Sequence, residues 1–352
     1  MSIFAPFFGN GEMVRQKESK AKGYFFGILA AVSYGVNPLG AKYLYEDGVN
    51  VESVLFYRYA LAVILIAAIM GVKILLRKLR PERSDCARMP CETFRVNGSE
   101  AVTLVTLGLL FVISSTTLYC SFLYMDSGVA CTLLFIYPVM VAALMALLYG
   151  EKLTKRTVIS ILLSLVGVVL LYRGDGQTVL STVGVLLVLV SSLSYAFYII
   201  LANRASDERN AGRHSRLTNY FSPTLHRSVV HRLDMSSMKL SFYVLLVGAI
   251  FLVLFSFSAP ERHLMWLPTV RSWLLAWMLA IVPTVLSLVA LGVAVRIIGS
   301  TPTAVLGALE PTTAVIIGLT VFSESFTASL ATGIALILFA VIILVLEKKP
   351  ES

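Results

Sequence analysis

Two prolines and two glutamates recur at one spacing in an otherwise apolar chain. Pro138 precedes Glu151 by thirteen residues, and Pro311 precedes Glu324 by the same thirteen. Beside the second proline stands Glu310, a carboxylate inside the apolar run GALEPTTAVIIGLTVF. Proline withholds an amide hydrogen and releases the carbonyl one turn earlier, so Pro311 should free the carbonyl around Gly307 and loosen the helix next to that carboxylate. An ionised carboxylate about 13 Å deep in a span costs on the order of 2.5–3.5 kcal/mol on insertion scales, so it should face the bundle interior, paired or protonated. Two readings follow for Glu310. It is a proton-coupling or substrate-amine site, or a gate at a helix break; or it is a structural carboxyl bonded to a neighbouring helix.

Other polar groups share the apolar runs. Tyr34, Asn37, Tyr137, Ser194, Tyr195 and Tyr198 offer hydroxyl, amide and ring surfaces suited to a neutral or zwitterionic metabolite. Arg58 is either a snorkelling or structurally paired arginine, or a partner for an acidic group or substrate carboxylate. Glu151 and Glu324 close their helices, and either orient the turn into the next helix or, with Pro138 and Pro311, mark helix breaks or gates.

The elements that must position these groups follow from composition. The chain is 57% hydrophobic and 14% charged, with a mean hydropathy of +0.83, whereas soluble domains are about 45–50% apolar and about 25% charged. That balance describes an all-α integral membrane protein. Crossing about 30 Å of hydrocarbon takes about 20 helical residues, and ten segments qualify: 23–45, 52–76, 101–125, 128–149, 156–173, 179–202, 239–259, 272–297, 302–323 and 328–346. The N-terminal segment places charge after its apolar patch, the reverse of a secretory signal, so no cleavage is expected.

Orientation follows from lysine and arginine. Of the 29 such residues, only Arg173, Arg262 and Arg271 fall on one face, Lys42 and Arg58 lie inside spans, and the rest cluster on the other face. Both termini are therefore expected in the cytoplasm of a bacterial cell, and the net charge of +9 faces anionic headgroups of the bilayer rather than nucleic acid. Two basic stretches, 77–99 and 203–238, read as cytoplasmic insertions. His226 and His231 in the second read as a solvated loop, and Cys86, Cys91, Cys120 and Cys131 as plain thiols without zinc-type spacing. No metal and no cofactor are expected.

The spacing of Pro138 and Glu151 against Pro311 and Glu324 extends into the following helices, where Gly167 falls opposite Ala340 without a gap. Ser33-Tyr34 in the first span likewise matches Ser194-Tyr195 in the sixth. The chain thus reads as two five-helix repeats, 23–173 and 179–346. Five is odd, so the second copy enters the membrane from the opposite side. Inverted repeats with a site at their interface are an architecture of secondary transporters.

The chain at this point resembles the EamA-type, ten-helix branch of the drug/metabolite transporter superfamily. The matching residues are Glu310, Pro311 and Glu324, the parallel Tyr137, Pro138, Gly150 and Glu151, and Arg58 in FYRYALAVILIAAI. The resemblance spans 23–346 and implies a carrier of small metabolites, often an exporter of amino acids or related compounds. One departure stands out: the first span has no acidic residue before Glu46, which puts cation export through that position in doubt. A nucleotide-sugar or sugar-phosphate exchanger would call for several intramembrane cations, and only Lys42, Arg58 and Arg296 are candidates. An intramembrane enzyme would need Ser-His pairs, metal clusters or paired aspartates, yet every histidine lies outside the spans. A receptor or scaffold would not require the repeat.

Overall fold

The computed structural model describes residues 20–79, 96–149, 155–172, 181–206, 236–258, 262–298, 303, 306–324 and 327–345, and among them every regular element is helical. In hydrocarbon no water is available to the backbone, and a helix satisfies its own amide groups. In chain order the helices are α1 (Lys20–Gly35), α2 (Asn37–Glu46), α3 (Val51–Leu79), α4 (Gly98–Ser121), α5 (Ser127–Leu134), α6 (Tyr137–Tyr149) and α7 (Lys155–Tyr172). They continue as α8 (Thr182–Ser206), α9 (Ser237–Ser256), α10 (Val270–Ala280), a π-helical turn (Ile281–Leu286), α11 (Ser287–Ile298), α12 (Leu309–Val321) and α13 (Ala328–Val345).

Pairs α1/α2, α5/α6 and α10/α11 are broken helices that each act as one span. Among the described residues seven spans are long and apolar enough to cross a membrane, and three shorter apolar helices lie within α7, α12 and α13, which makes ten. Large apolar side chains such as Leu147, Leu162, Leu186, Leu274 and Phe339 point outward. Water would penalise that belt, whereas lipid accepts it. The protein is an integral, multi-pass membrane protein.

Packing follows a pattern that exchanges the two halves. The third span packs on the sixth and the first on the eighth; the seventh packs on the third and the second on the eighth; the first packs on the ninth and the sixth on the fourth. Three further major pairs, second with seventh, fourth with ninth and fifth with tenth, map onto themselves. Adding five to each span number reproduces these nine major pairs, as a two-fold relation between inverted halves requires. Polar glue crosses the same seams: the hydroxyls of Ser114 and Ser191 lie 3.1 Å apart, and Ser191 also donates to the Ser114 carbonyl at 2.7 Å. Without a hydrophobic drive between helices in lipid, such bonds and close packing hold the bundle.

Candidate functional site

Irregular backbone inside a membrane persists only where protein or a cavity covers it, and here the irregular points converge. The first span turns at Val36, the fourth at Phe135 and Ile136, the eighth through its π-helical turn, and the ninth at Gly307 and Ala308. Gly35, Phe135, Pro283, Thr284, Glu310 and Pro311, each at or next to one of these breaks, line a single cavity of about 130 Å³. The close approach of the first and ninth spans explains the glycine: a Cβ on Gly35 would stand 2.6 Å from the Glu310 carbonyl oxygen.

Pro311 does loosen its helix, but the carbonyl it frees does not stay free. The Glu310 amide donates to the Gly307 carbonyl at 2.9 Å, a tight three-residue turn that restores the lost bond. Just ahead of Pro138 the Ile136 amide turns back to the Leu133 carbonyl at 3.1 Å, while the Leu134 carbonyl that this proline frees accepts from the Ser192 hydroxyl at 3.2 Å. Both breaks therefore precede their prolines, where the missing N–H lets the backbone tighten.

Tyr34, Asn37, Arg58, Tyr137, Tyr195 and Tyr198 also line the cavity. The rings form a cluster: Tyr137 meets Tyr195 edge-on at 4.8 Å between centroids, Tyr195 stacks on Tyr198 at 5.7 Å, and Phe111 packs on Tyr198 at 5.4 Å. Such pairs add to the burial energy and stiffen the wall. Among the described residues the Glu310 carboxylate has no hydrogen-bond or ion-pair partner. The Tyr34 hydroxyl lies within electrostatic reach of both Glu310 and Arg58.

Arg58 does not snorkel. It is 3% exposed, and its guanidinium donates to the Thr284 hydroxyl at 2.9 Å and to the Tyr119 hydroxyl at 2.8 Å. Tyr119 in turn donates to Asn37 Oδ1 at 3.1 Å, and Asn37 Nδ2 donates to the Tyr34 carbonyl at 2.9 Å. The chain of bonds runs from the π-helical turn of the eighth span to the break of the first. A guanidinium at this depth is held by neutral oxygens in place of water.

A second charged cluster lies at one end of the bundle. Glu324, in the turn between the ninth and tenth spans, pairs with Lys42 of the first at 2.5 Å. Its carboxylate also accepts from the Ser127 amide at 3.0 Å, the Ser127 hydroxyl at 2.7 Å and the Gly128 amide at 3.3 Å. The negative group thus caps α5 at its N-terminus, where free amides and the helix dipole favour it. Burial alone would raise its pKa, but the bonds from Lys42 and Ser127 and the lysine charge outweigh that and hold it below the usual glutamate range. Asp126 next to it is pushed up, first by burial and then by the Glu324 charge, with Lys42 opposing.

The sequence profile of the EamA-like transporter family matches residues 21–173 and 221–346. The chain belongs to that family. An uncharacterized transporter of Synechocystis sp. is 26% identical over 249 residues, covering 70% of this chain and 67% of its own. An uncharacterized transporter of Archaeoglobus fulgidus is 27% identical over 218 residues, with 62% and 67% covered. One solved crystal structure, 15% identical, superposes with a TM-score of 0.54 over 92% of this chain and 97% of that one; this likeness concerns the fold alone.

In this EamA-like transporter, then, most of the sequence-derived residues meet at one cavity. Ser194 and Pro138 do not line it; Ser194 turns partly outward on α8, while its neighbours Ser191 and Ser192 bury themselves in the seams. Glu151, the stretch 80–95 with Cys86 and Cys91, and the stretch 207–235 with His226 and His231 lie outside the described residues. Cys120 and Cys131 are free thiols. Among the described residues no group of three or more His, Cys, Asp and Glu side chains could hold a metal ion. Sequence reading missed Tyr119, Thr284 and the Lys42 pairing. Thr284 carried the same signal as Glu310, a polar residue next to a proline in an apolar run.

Proposed function

We propose that the protein is a secondary carrier rather than an enzyme, moving a small metabolite across a bacterial cytoplasmic membrane by alternating access. The substrate is an amino acid or a related compound, and the direction is export. One observation carries the reading: four separate backbone irregularities, drawn from both halves, open onto one cavity near the bundle centre. Spans that only support one another have no use for such breaks, whereas a carrier needs backbone that can rearrange around its cargo. The Lys42–Glu324 clasp belongs to the face that the lysine and arginine asymmetry assigns to the outside. It serves as the outer gate, and opening that side separates the pair.

Glu310 couples transport to protons or receives the substrate amine, since an ionised carboxylate in hydrocarbon without a countercharge is costly. The reading requires no cofactor, no metal and no nucleic-acid partner. It is tested by reconstitution into liposomes loaded with a pH-sensitive dye and challenged with a panel of amino acids. The intact protein should move substrate and protons together, and Glu310→Gln should stop both. Substrate flux without proton movement would remove the coupling role, and no flux for any compound would remove the carrier reading.

A further inference from the structure

The carrier reading leaves open what chemical group the buried cation addresses. Of the five N–H donors of a guanidinium, the bonds among described residues occupy two, one to Thr284 and one to Tyr119. Both acceptors are neutral, and none of the ion pairs among the described residues includes Arg58. A fully charged group is therefore buried against the cavity without a countercharge, an arrangement that is costly unless a partner arrives.

The two acceptors are oriented rather than merely near. Thr284 donates its own hydroxyl hydrogen to the Leu279 carbonyl at 2.9 Å, five residues back. An α-helix offers a threonine the carbonyls three or four residues back; the π-helical turn of Ile281–Leu286 brings the fifth into reach. With its hydrogen committed, Thr284 can only accept from Arg58. Tyr119 is committed in the same way, because its hydrogen goes to Asn37, whose amide is fixed by the Tyr34 carbonyl. Every proton in the chain points away from Arg58, so the guanidinium is held at Nε and one Nη while its remaining donors stay available.

Resting on the carrier reading, the geometry points to Arg58 as the anchor for a substrate carboxylate, with Thr284 and Tyr119 as positioning residues that present it. Glu310 lines the same cavity as the complementary pole, and the tyrosine cluster provides the apolar surface around them. The cavity therefore selects a compact zwitterion over an amine or a neutral solute. A phosphate dianion would meet one guanidinium and a carboxylate, an unfavourable pairing.

The test measures binding apart from transport. Protein in lipid nanodiscs is titrated with L-phenylalanine, hydrocinnamate, phenethylamine and inorganic phosphate, with thermal stabilisation as the readout. L-phenylalanine should bind at least about tenfold more tightly than phenethylamine, the range a charged hydrogen bond supplies. Arg58→Gln should abolish that ratio. Tyr119→Phe and Thr284→Val keep the charge and should weaken the carboxylate probes about threefold to tenfold while the amine's affinity holds, and Arg58→Lys should recover part of the ratio. Equal binding of phenylalanine and phenethylamine to the unaltered protein would overturn the assignment, and so would a ratio untouched by Tyr119→Phe and Thr284→Val. Preference for phosphate would replace the carboxylate with a phosphate-bearing substrate. If the binding ratio holds but none of these probes crosses liposome membranes, the carrier reading fails while Arg58 keeps its role.

Discussion

Two pairs of opposite charge, one at an end of the bundle and one at its centre, are arranged in opposite ways. At one end Lys42 and Glu324 meet at 2.5 Å, with Ser127 completing the carboxylate's bonds. At the centre Arg58 and Glu310 line one cavity, yet among the described residues neither has an ionic partner. Paired charges with their hydrogen bonds satisfied stabilise the contact they form; unpaired ones facing a cavity stabilise whatever enters with complementary charge. On the proposed carrier function, the difference separates a closure from a receptor for cargo within one bundle.

The sharpest way to break this contrast is to neutralise one charge from each set. Arg58→Gln or Glu310→Gln should reduce substrate-driven flux in liposomes by about a hundredfold or more, the order expected for a lost buried charge contact. Lys42→Gln should leave binding of the same substrate within about threefold. Equal loss of binding in both would dissolve the distinction.

A charge swap probes the clasp alone. Lys42→Glu places two carboxylates together and should lower the melting temperature, and Lys42→Glu combined with Glu324→Lys should recover it. The coupling energy is expected at about 1–3 kcal/mol, between the values for exposed and fully buried pairs, because Lys42 keeps 20% of its side chain exposed and Glu324 only 7%. An additive double variant would mean that the pair contributes nothing.

A smaller effect is expected from the floor beneath the clasp. A Cβ on Gly318 would collide with the Glu324 carboxylate. Gly318→Ala should therefore push Glu324 away from Lys42 at a cost of about 1–2 kcal/mol, seen as a lower melting temperature. In a Lys42→Gln background, the same substitution should cost less.

The smallest effect is the response to acid. The folded pKa of Glu324 lies below the ordinary 4.5, so the carboxylate stabilises the fold fully above the unfolded value and progressively less as pH falls through the folded one. Melting temperature should be insensitive to the clasp from neutral pH to about pH 5 and should drop below that, and Glu324→Gln should blunt the drop. A clasp-dependent change near pH 7 would contradict this assignment.

Much of this architecture could be read from residue order. Ten apolar runs, the odd number per repeat and the shared Pro–Glu spacing lead directly to inverted halves, because helix length and apolar content are local properties that lipid selects. The cavity was partly legible: Tyr34 and Tyr195 were found by repeat symmetry, and Glu310 by its neighbouring proline. Ser194 does not line the cavity: on α8 it lies 100° round the helix from Tyr195, and its side chain turns partly outward. Tyr119 and Thr284 were missed because their value lies in partners 61 and 226 residues away from Arg58.

The sequence by itself determined a membrane-embedded, ten-span, two-repeat protein, since those properties depend on composition and period along the chain. Only the tertiary structure decided which charges meet and which do not. Lys42 and Glu324 stand 282 residues apart and touch, while Arg58 and Glu310 share a cavity without pairing. Coulomb interactions depend on distance through space, and that distance is set by how helices cross, so no local pattern could distinguish the clasp from the cavity.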